Sequence, residues 1–122
     1  MKNTFINLSN HASVHWSDRQ LQKAAEYGEI VDLPFPMIDP HASSEEIDAL
    51  VEAYCQKVLV YGKPVVMLQG EFIFTYRLVT LLKQKGICVV ASCSERRTEE
   101  SVDETGKVVK RSEFEFVGFK EY

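Results

Sequence analysis

Paired cysteines are missing from this 122-residue sequence: Cys55, Cys88 and Cys93 are an odd set with no matched spacing. Such a count excludes a disulfide scaffold, and Cys55 and Cys88, set in apolar runs, read as buried thiols. Metal-ligand spacing is missing too. No Cys/His/Asp arrangement meets a zinc pattern, and His11 and His15 both precede the helix cap at Ser17, so they do not form a pair on one helix face. The opening stretch MKNTFINLSN has no signal-peptide core, and no apolar run reaches membrane-spanning length. These absences point to a reducing, cytoplasmic protein with no metal and no cofactor.

An excess of positive charge is missing as well. Eighteen acidic residues against fourteen Lys and Arg leave a net charge of −4 and a pI of about 5.4. A dedicated binder of long nucleic acid carries a basic surplus. Polymeric DNA and RNA are therefore excluded as partners, while a small nucleotide held by a few local cations is not. No membrane-surface stripe, repeat, low-complexity tract or linker interrupts the chain. The apolar share of 45% is ordinary for a soluble domain. A chain of this size buries roughly two-thirds of its unfolded surface, enough for one core. One domain over residues 1–122 is expected.

What is present is a regular alternation of strand and helix signals. TFINLS (Thr4–Ser9) reads as a short buried strand. Ser17 and Gln20 have capping-box spacing ahead of a helix that Gly28 ends, and Trp16 is placed to staple onto Leu21. EIVDLPFP (Glu29–Pro36) is a second strand, closed by two prolines. Ser43 and Glu46 form another capping box. Ile47, Leu50, Val51, Tyr54 and Val58 then recur at helical spacing. VVML (Val65–Leu68) is apolar without alternation, the pattern of a central strand covered on both faces. Phe72, Ile73, Tyr76, Val79 and Leu82, widened by Leu78 and Leu81, predict a buried helix face that ends at Gly86. Ile87–Cys93 is a fourth strand, and residues 93–122 read as an extended β-hairpin turning at DETG. In that hairpin Phe114 and Phe116 alternate with Glu113 and Glu115, giving one apolar face. Strands alternating with helices imply a parallel sheet with helices on both faces. The expectation is an α/β fold: a small Rossmann-like three-layer domain with a mostly parallel sheet and a C-terminal antiparallel hairpin.

In such sheets the ligand crevice lies beyond the carboxyl ends of the strands, near the reversal in strand order. That rule selects Ser9-Asn10-His11, Pro34-Phe35-Pro36, Gln69-Gly70-Glu71 and Ser94-Glu95-Arg96-Arg97. Gln69-Gly70-Glu71 has two readings. Gly70 can let a ligand approach the backbone while the helix N-terminus binds an anion, or the stretch is a tight turn with Glu71 as a cap. Arg96 and Arg97 are either a phosphate fork, with one of the two facing the crevice, or a solvated pair answering Glu95, Glu99 and Glu100. The imidazole of His11 suits general acid–base chemistry, or His11 holds its loop through the backbone. Cys93 has no cysteine-enzyme signature around it, and Ser9 has no GxSxG elbow. Phe72, Phe74 and Tyr76 make either a base-stacking face or part of the core.

INLSNH, the following helix with QLQ, IVDLPF and the Asp-Pro loop together resemble the small Rossmann-like accessory proteins of type III CRISPR systems. These are compact relatives of CARF domains, and some of them act as ring nucleases. In that family the first strand ends in an Asn-x-Ser-His type run. Asn7, Ser9 and His11 stand in that region here, with Asn10 as an extra residue between serine and histidine. VVMLQG resembles the family's central strand and ligand loop. The resemblance implies a cyclic oligoadenylate ligand, a two-fold homodimer and metal-independent cleavage through a ribose 2′-hydroxyl. For such a ligand, position and chemistry give Arg96 and the Gly70–Glu71 amides to phosphate, and His11 to proton transfer or positioning. Ser9, Asn10 and Gln69 would orient ribose or base, with Ser94 and Arg97 beside them. A non-catalytic nucleotide- or protein-binding module and an enzyme acting on another phosphorylated metabolite are the alternatives.

Overall fold

Alternation along the first strand divides the core in two. Successive strand side chains point to opposite faces of a sheet, so β1 (Thr4–Ser9) buries Ile6 and Leu8 in one apolar cluster and Phe5 in another. The computed structural model describes residues 3–122. It orders five strands as β2-β1-β3-β4-β5, with β2 Glu29–Asp32, β3 Val65–Gln69, β4 Cys88–Val102 and β5 Val108–Glu121. β1 runs parallel to β2 and β3, β3 parallel to β4, and β5 antiparallel to β4. This is the expected α/β fold, with a mostly parallel mixed sheet and a C-terminal antiparallel hairpin.

Three helices cover the sheet unequally. The chain steps one way from β1 to β2 and the opposite way from β2 through β3 to β4. Right-handed crossovers therefore put the first helix on one face and the other two on the opposite face. α1 (Asp18–Ala25) lies over Phe5, Met67 and Val90, with Trp16 and Ala24 in the same cluster. α2 (Ser44–Leu59) and α3 (Phe72–Gln84) bury Val51, Cys55, Val58, Phe74, Leu78 and Leu82 against Ile6, Val66, Leu68 and Val89. The face with a single helix leaves room at the strand ends. No helix is long and apolar enough to cross a membrane among the described residues.

The helix starts follow their capping residues. Ser43 Oγ accepts from the Glu46 amide (3.1 Å) while Glu46 Oε1 accepts from the Ser43 amide (3.4 Å), a complete capping box. At α1 only half of the box forms. Ser17 Oγ accepts from the Gln20 amide (3.2 Å), but the Gln20 side chain turns inward to Met67 Sδ (3.8 Å).

Four expectations need correction. The second strand stops at Asp32, and Leu33–Pro36 leaves the sheet after the Leu33 amide reaches the Asn7 carbonyl (2.8 Å). The buried face of α3 is rotated from the predicted one: Phe72, Ile73 and Tyr76 are exposed, while Phe74 and Thr75 are buried. Phe74 decides this rotation, because its ring packs edge-on against both Phe35 (5.2 Å) and Tyr54 (5.5 Å). The hairpin is not appended at residue 93. β4 continues unbroken from the sheet to Val102, and β5 returns to place Phe119 in the α1-side cluster. Its apolar face is buried only near the sheet, at Phe116, whereas Phe114 is exposed. Finally, Cys88 is only half-buried; its thiol donates to Glu121 Oε1 (3.3 Å). All three cysteines are free. Burial pushes the Cys55 and Cys88 thiols up, helped at Cys88 by the Glu121 bond.

Candidate functional site

The polar run after β1 is organised by one buried amide. Asn7 is 2% exposed, and a buried amide must find partners. Its Nδ2 donates to the His11 carbonyl (2.8 Å) and to Asp32 Oδ1 (3.0 Å). Its Oδ1 accepts from Ser9 Oγ (2.7 Å), which in turn accepts from the His11 amide (3.3 Å). Asp32, at the end of β2, also accepts from the Ser13 amide (3.2 Å) and from Ser13 Oγ (3.0 Å). Residues 9–13 are thus tied to two strand ends. The backbone of His11 holds the loop, and its imidazole is left exposed.

Beside this loop, on the α1 face, lies a crevice of about 850 Å³, within the range of small-molecule sites. One side is Ser9, Asn10, His11, His15 and Trp16, continued by Ser17, Arg19 and Gln20 at the start of α1. The floor is Met67, Gln69 and Gly70 of β3 and its turn. Ser92 and Ser94 of β4 and Phe114–Phe116 of β5 form the far side. The crevice lies where strand order reverses: β1 and β3 are neighbours, yet their following helices depart to opposite faces.

Gln69 bridges strands that are parting. The β3–β4 register runs to Met67 opposite Val90. Beyond it, Gln69 Oε1 accepts from the Ser92 amide (2.8 Å) and Ser92 Oγ (2.7 Å). Its Nε2 makes no hydrogen bond among the described residues. Gly70 is required for a different reason from ligand approach: a Cβ there would stand 2.3 Å from the Phe35 ring. Glu71 is the N-cap of α3. Its carboxylate accepts from the amides of Ile73 (2.7 Å) and Phe74 (2.9 Å), so two of the amides at the start of α3 are already engaged by the cap. The capped-turn reading describes this stretch.

The expected residues are only partly brought together. Ser9, Asn10, His11, Gln69, Gly70 and Ser94 line the crevice; Glu71, Arg96 and Arg97 do not. The reason is the length of β4. A strand advances about 3.4 Å per residue, so an unbroken β4 carries both arginines outward along the hairpin. Arg96 Nη2 donates to Ser112 Oγ (3.2 Å), and Arg97 Nε pairs with Glu115 Oε2 (2.9 Å). Pro34 and Phe35 line a separate side pocket of about 210 Å³ with Asn7, Asp32 and the shared Ser9 and Asn10.

The cation of the crevice is Arg19, which sequence reading missed. Its Nη1 lies 3.9 Å from Glu115 Oε1, so Glu115 stands between Arg19 and Arg97. One signal was available: Arg19 sits in the first turn of a helix, where the macrodipole disfavours a cation. In the sequence His15 stands out only as a possible metal-pair partner of His11, yet it lines the crevice from a 3-10 turn (Ser13–His15).

Residues 3–120 match a family described as the uncharacterized protein MJ1673 family. No curated protein and no solved structure matches the chain. Because the match takes in all three helices and runs from β1 into the last residues of β5, the chain belongs to the uncharacterized protein MJ1673 family.

Proposed function

We propose that the protein binds a small nucleotide messenger of the cyclic oligoadenylate type in this crevice and cleaves it without a metal, as a ring nuclease does. The observation that carries the reading is the joint presence of His11, His15 and Arg19 in one polar crevice at the strand-order reversal. Ser9, Asn10, Ser92, Ser94 and the free Gln69 amide nitrogen add the donors and acceptors that a ribose or base edge requires. The sequence likeness of Asn7–His11 to CARF-related accessory proteins agrees with it.

The chemistry needs only side chains. One imidazole takes the proton of a ribose 2′-hydroxyl as its oxygen bonds to the adjacent phosphorus. The bond from phosphorus to the 5′-oxygen breaks, and the other imidazole, as imidazolium, protonates that oxygen. The products are a 2′,3′-cyclic phosphate and a 5′-hydroxyl. Arg19, released from Glu115, faces the charge on the phosphoryl oxygens. Arg96, expected in that role, is replaced by Arg19 because it does not line the crevice.

A homodimer suits a ligand with rotational symmetry, since each subunit offers the same loops to half of the ring. The outer hairpin exposes Val102, Val108 and Phe114. A two-stranded ribbon is marginal alone, so a second copy of this chain is its proposed cover.

Calorimetry and turnover with cyclic tetra- and hexa-adenylate test the reading. Wild type is expected to bind and to turn over more than one equivalent. His11→Ala should lower turnover about 10²–10⁴-fold, the range for losing a general acid or base. Arg19→Ala should weaken both binding and turnover, while Arg96→Ala should leave both near wild type. Binding without turnover would identify a non-catalytic module. Absence of binding would sink the proposal.

A further inference from the structure

A second pocket, of about 400 Å³, opens on the other face of the β3–α3 turn. Gln69 and Gly70 line both it and the crevice. Its remaining lining is Phe72, Thr75, Tyr76, Val79 and Tyr122, three aromatic rings with no charged side chain, whereas the crevice mixes Trp16, Phe114 and Phe116 with histidines, Arg19 and Glu115. Phe72 and Tyr76 are 89% and 74% exposed, an unusual position for adjacent large aromatics on a helix that also buries Phe74. Tyr122 is held in place by donating its hydroxyl to the Leu68 carbonyl, the last backbone group but one of β3.

Thr75 supplies a second, independent observation. It is 8% exposed, and its Oγ1 is buried without a hydrogen-bond partner. Buried hydroxyls are nearly always paired, and a helical threonine ordinarily bonds back to the preceding turn. Thr75 also lines the pocket, and a turn about its χ1 bond to another staggered rotamer would bring the hydroxyl to a ligand seated there. Aromatic rings with one buried polar group are the recognition chemistry of a nucleobase: ring faces stack, and one heteroatom is read.

We infer that this pocket is a base subsite. It takes the purine ring of a ligand whose phosphoryl group lies in the crevice, and the ligand crosses from one to the other over Gln69-Gly70. Phe72 and Tyr76 stack on the base, and Thr75 Oγ1 bonds a ring nitrogen or the exocyclic amine. The inference rests on the crevice reading above and adds to it where the base goes.

NMR titration of the intact protein with 5′-AMP, ribose 5-phosphate and adenosine separates the two. Trp16 and His11 report the crevice; Thr75 and Val79 report the pocket. AMP is expected to move both sets, ribose 5-phosphate only the crevice set, and adenosine mainly the pocket set. Tyr76→Ala should weaken AMP binding about tenfold, and the near-isosteric Thr75→Val several-fold. Neither should change the affinity for ribose 5-phosphate. If AMP moves Trp16 and His11 but not Thr75 or Val79, and both variants keep wild-type AMP affinity, the base subsite is wrong and the crevice reading survives. If no probe moves Trp16 or His11, the crevice reading fails and this inference fails with it. Phe72→Ala, at the most exposed position, repeats the test without touching the core. A drop in particle mass on Phe72→Ala or Tyr76→Ala would instead mark a subunit contact and overturn the proposal.

Discussion

Asn7 joins β1, β2 and the loop at residues 9–13 through one amide. Asn7→Ala would leave the Ser9 hydroxyl, the Asp32 carboxylate and the His11 carbonyl each short of a partner. The expected loss is about 1–3 kcal/mol, the usual penalty for a buried group left unpaired. Urea denaturation reads that loss, and faster amide exchange at His11 and Ser13 would show where it falls. A contrasting pair tests the rotated helix face. Phe74 is fully buried between Phe35 and Tyr54, so Phe74→Ala should cost about 3–5 kcal/mol. Phe72→Ala, at an exposed position, should change stability by no more than about 0.5 kcal/mol. A larger cost for Phe72→Ala than for Phe74→Ala would mean that α3 is seated as its apolar spacing alone suggests. Sequence spacing could not separate Phe72 from Phe74, because eight apolar residues in this 13-residue helix satisfy more than one face. The two rings waiting at Phe35 and Tyr54 select Phe74.

The β4–β5 hairpin shows how one element moves a site. Its register slips between Cys93 and Ser94, leaving Val117 without a partner residue on β4. Such a bulge bends the pair and increases its twist, and it falls where Ser94 and Phe116 border the crevice. The tip is closed by Asp103. Its carboxyl is held below the ordinary aspartate range chiefly by the Thr105 hydroxyl (2.7 Å), with the Lys107 and Thr105 amides (2.9 Å each) assisting. A carboxyl depressed on folding stabilises the turn fully above its unfolded pKa. That contribution drains as the pH falls and is gone once the pH has passed the lowered folded value. Amide shifts of Thr105 and Lys107 should therefore follow a single titration below the ordinary aspartate range. Asp103→Asn should abolish that titration while the sheet half of the hairpin stays protected from exchange. A tip whose amides do not respond to acid would contradict this account.

At the scale of the molecule, the strand order does most to position the site. Reversal between β1 and β3 sends their helices to opposite faces and leaves a gap between the strand ends. α1 alone cannot fill the face it covers, so the crevice opens beside it rather than beside α2 and α3. On the proposed reading a symmetric ligand needs a symmetric protein. Sedimentation equilibrium should then give twice the 13.9 kDa chain mass, and Val102→Lys, exposed on the outer hairpin and outside the crevice, should shift it towards the monomer. A monomer that binds the cyclic ligand at full affinity would remove the shared-site part of the proposal.

Much of this was legible in the residues themselves. Thr4–Ser9, the Ser43–Glu46 capping box, the unalternating Val65–Leu68 run and Gly86 carry local signals, and local signals determine where helices and strands start and stop. Their alternation in turn implies parallel pairing and a crevice at the strand ends, which is why Ser9, Asn10, His11, Gln69, Gly70 and Ser94 could be named in advance. Which cation enters that crevice could not be read this way. Arg96 lies near a predicted strand end and Arg19 two residues past a helix cap; only the unbroken run of β4 carries the first away, and only the seating of α1 brings the second in. The same division explains Gly70 and Thr75, one needed by a ring from residue 35 and the other left unpaired above a pocket. Chain-local chemistry sets the elements, but contacts between residues far apart in sequence decide which side chains share a space. That depends on register, strand length and helix rotation, none of which a short window of residues contains.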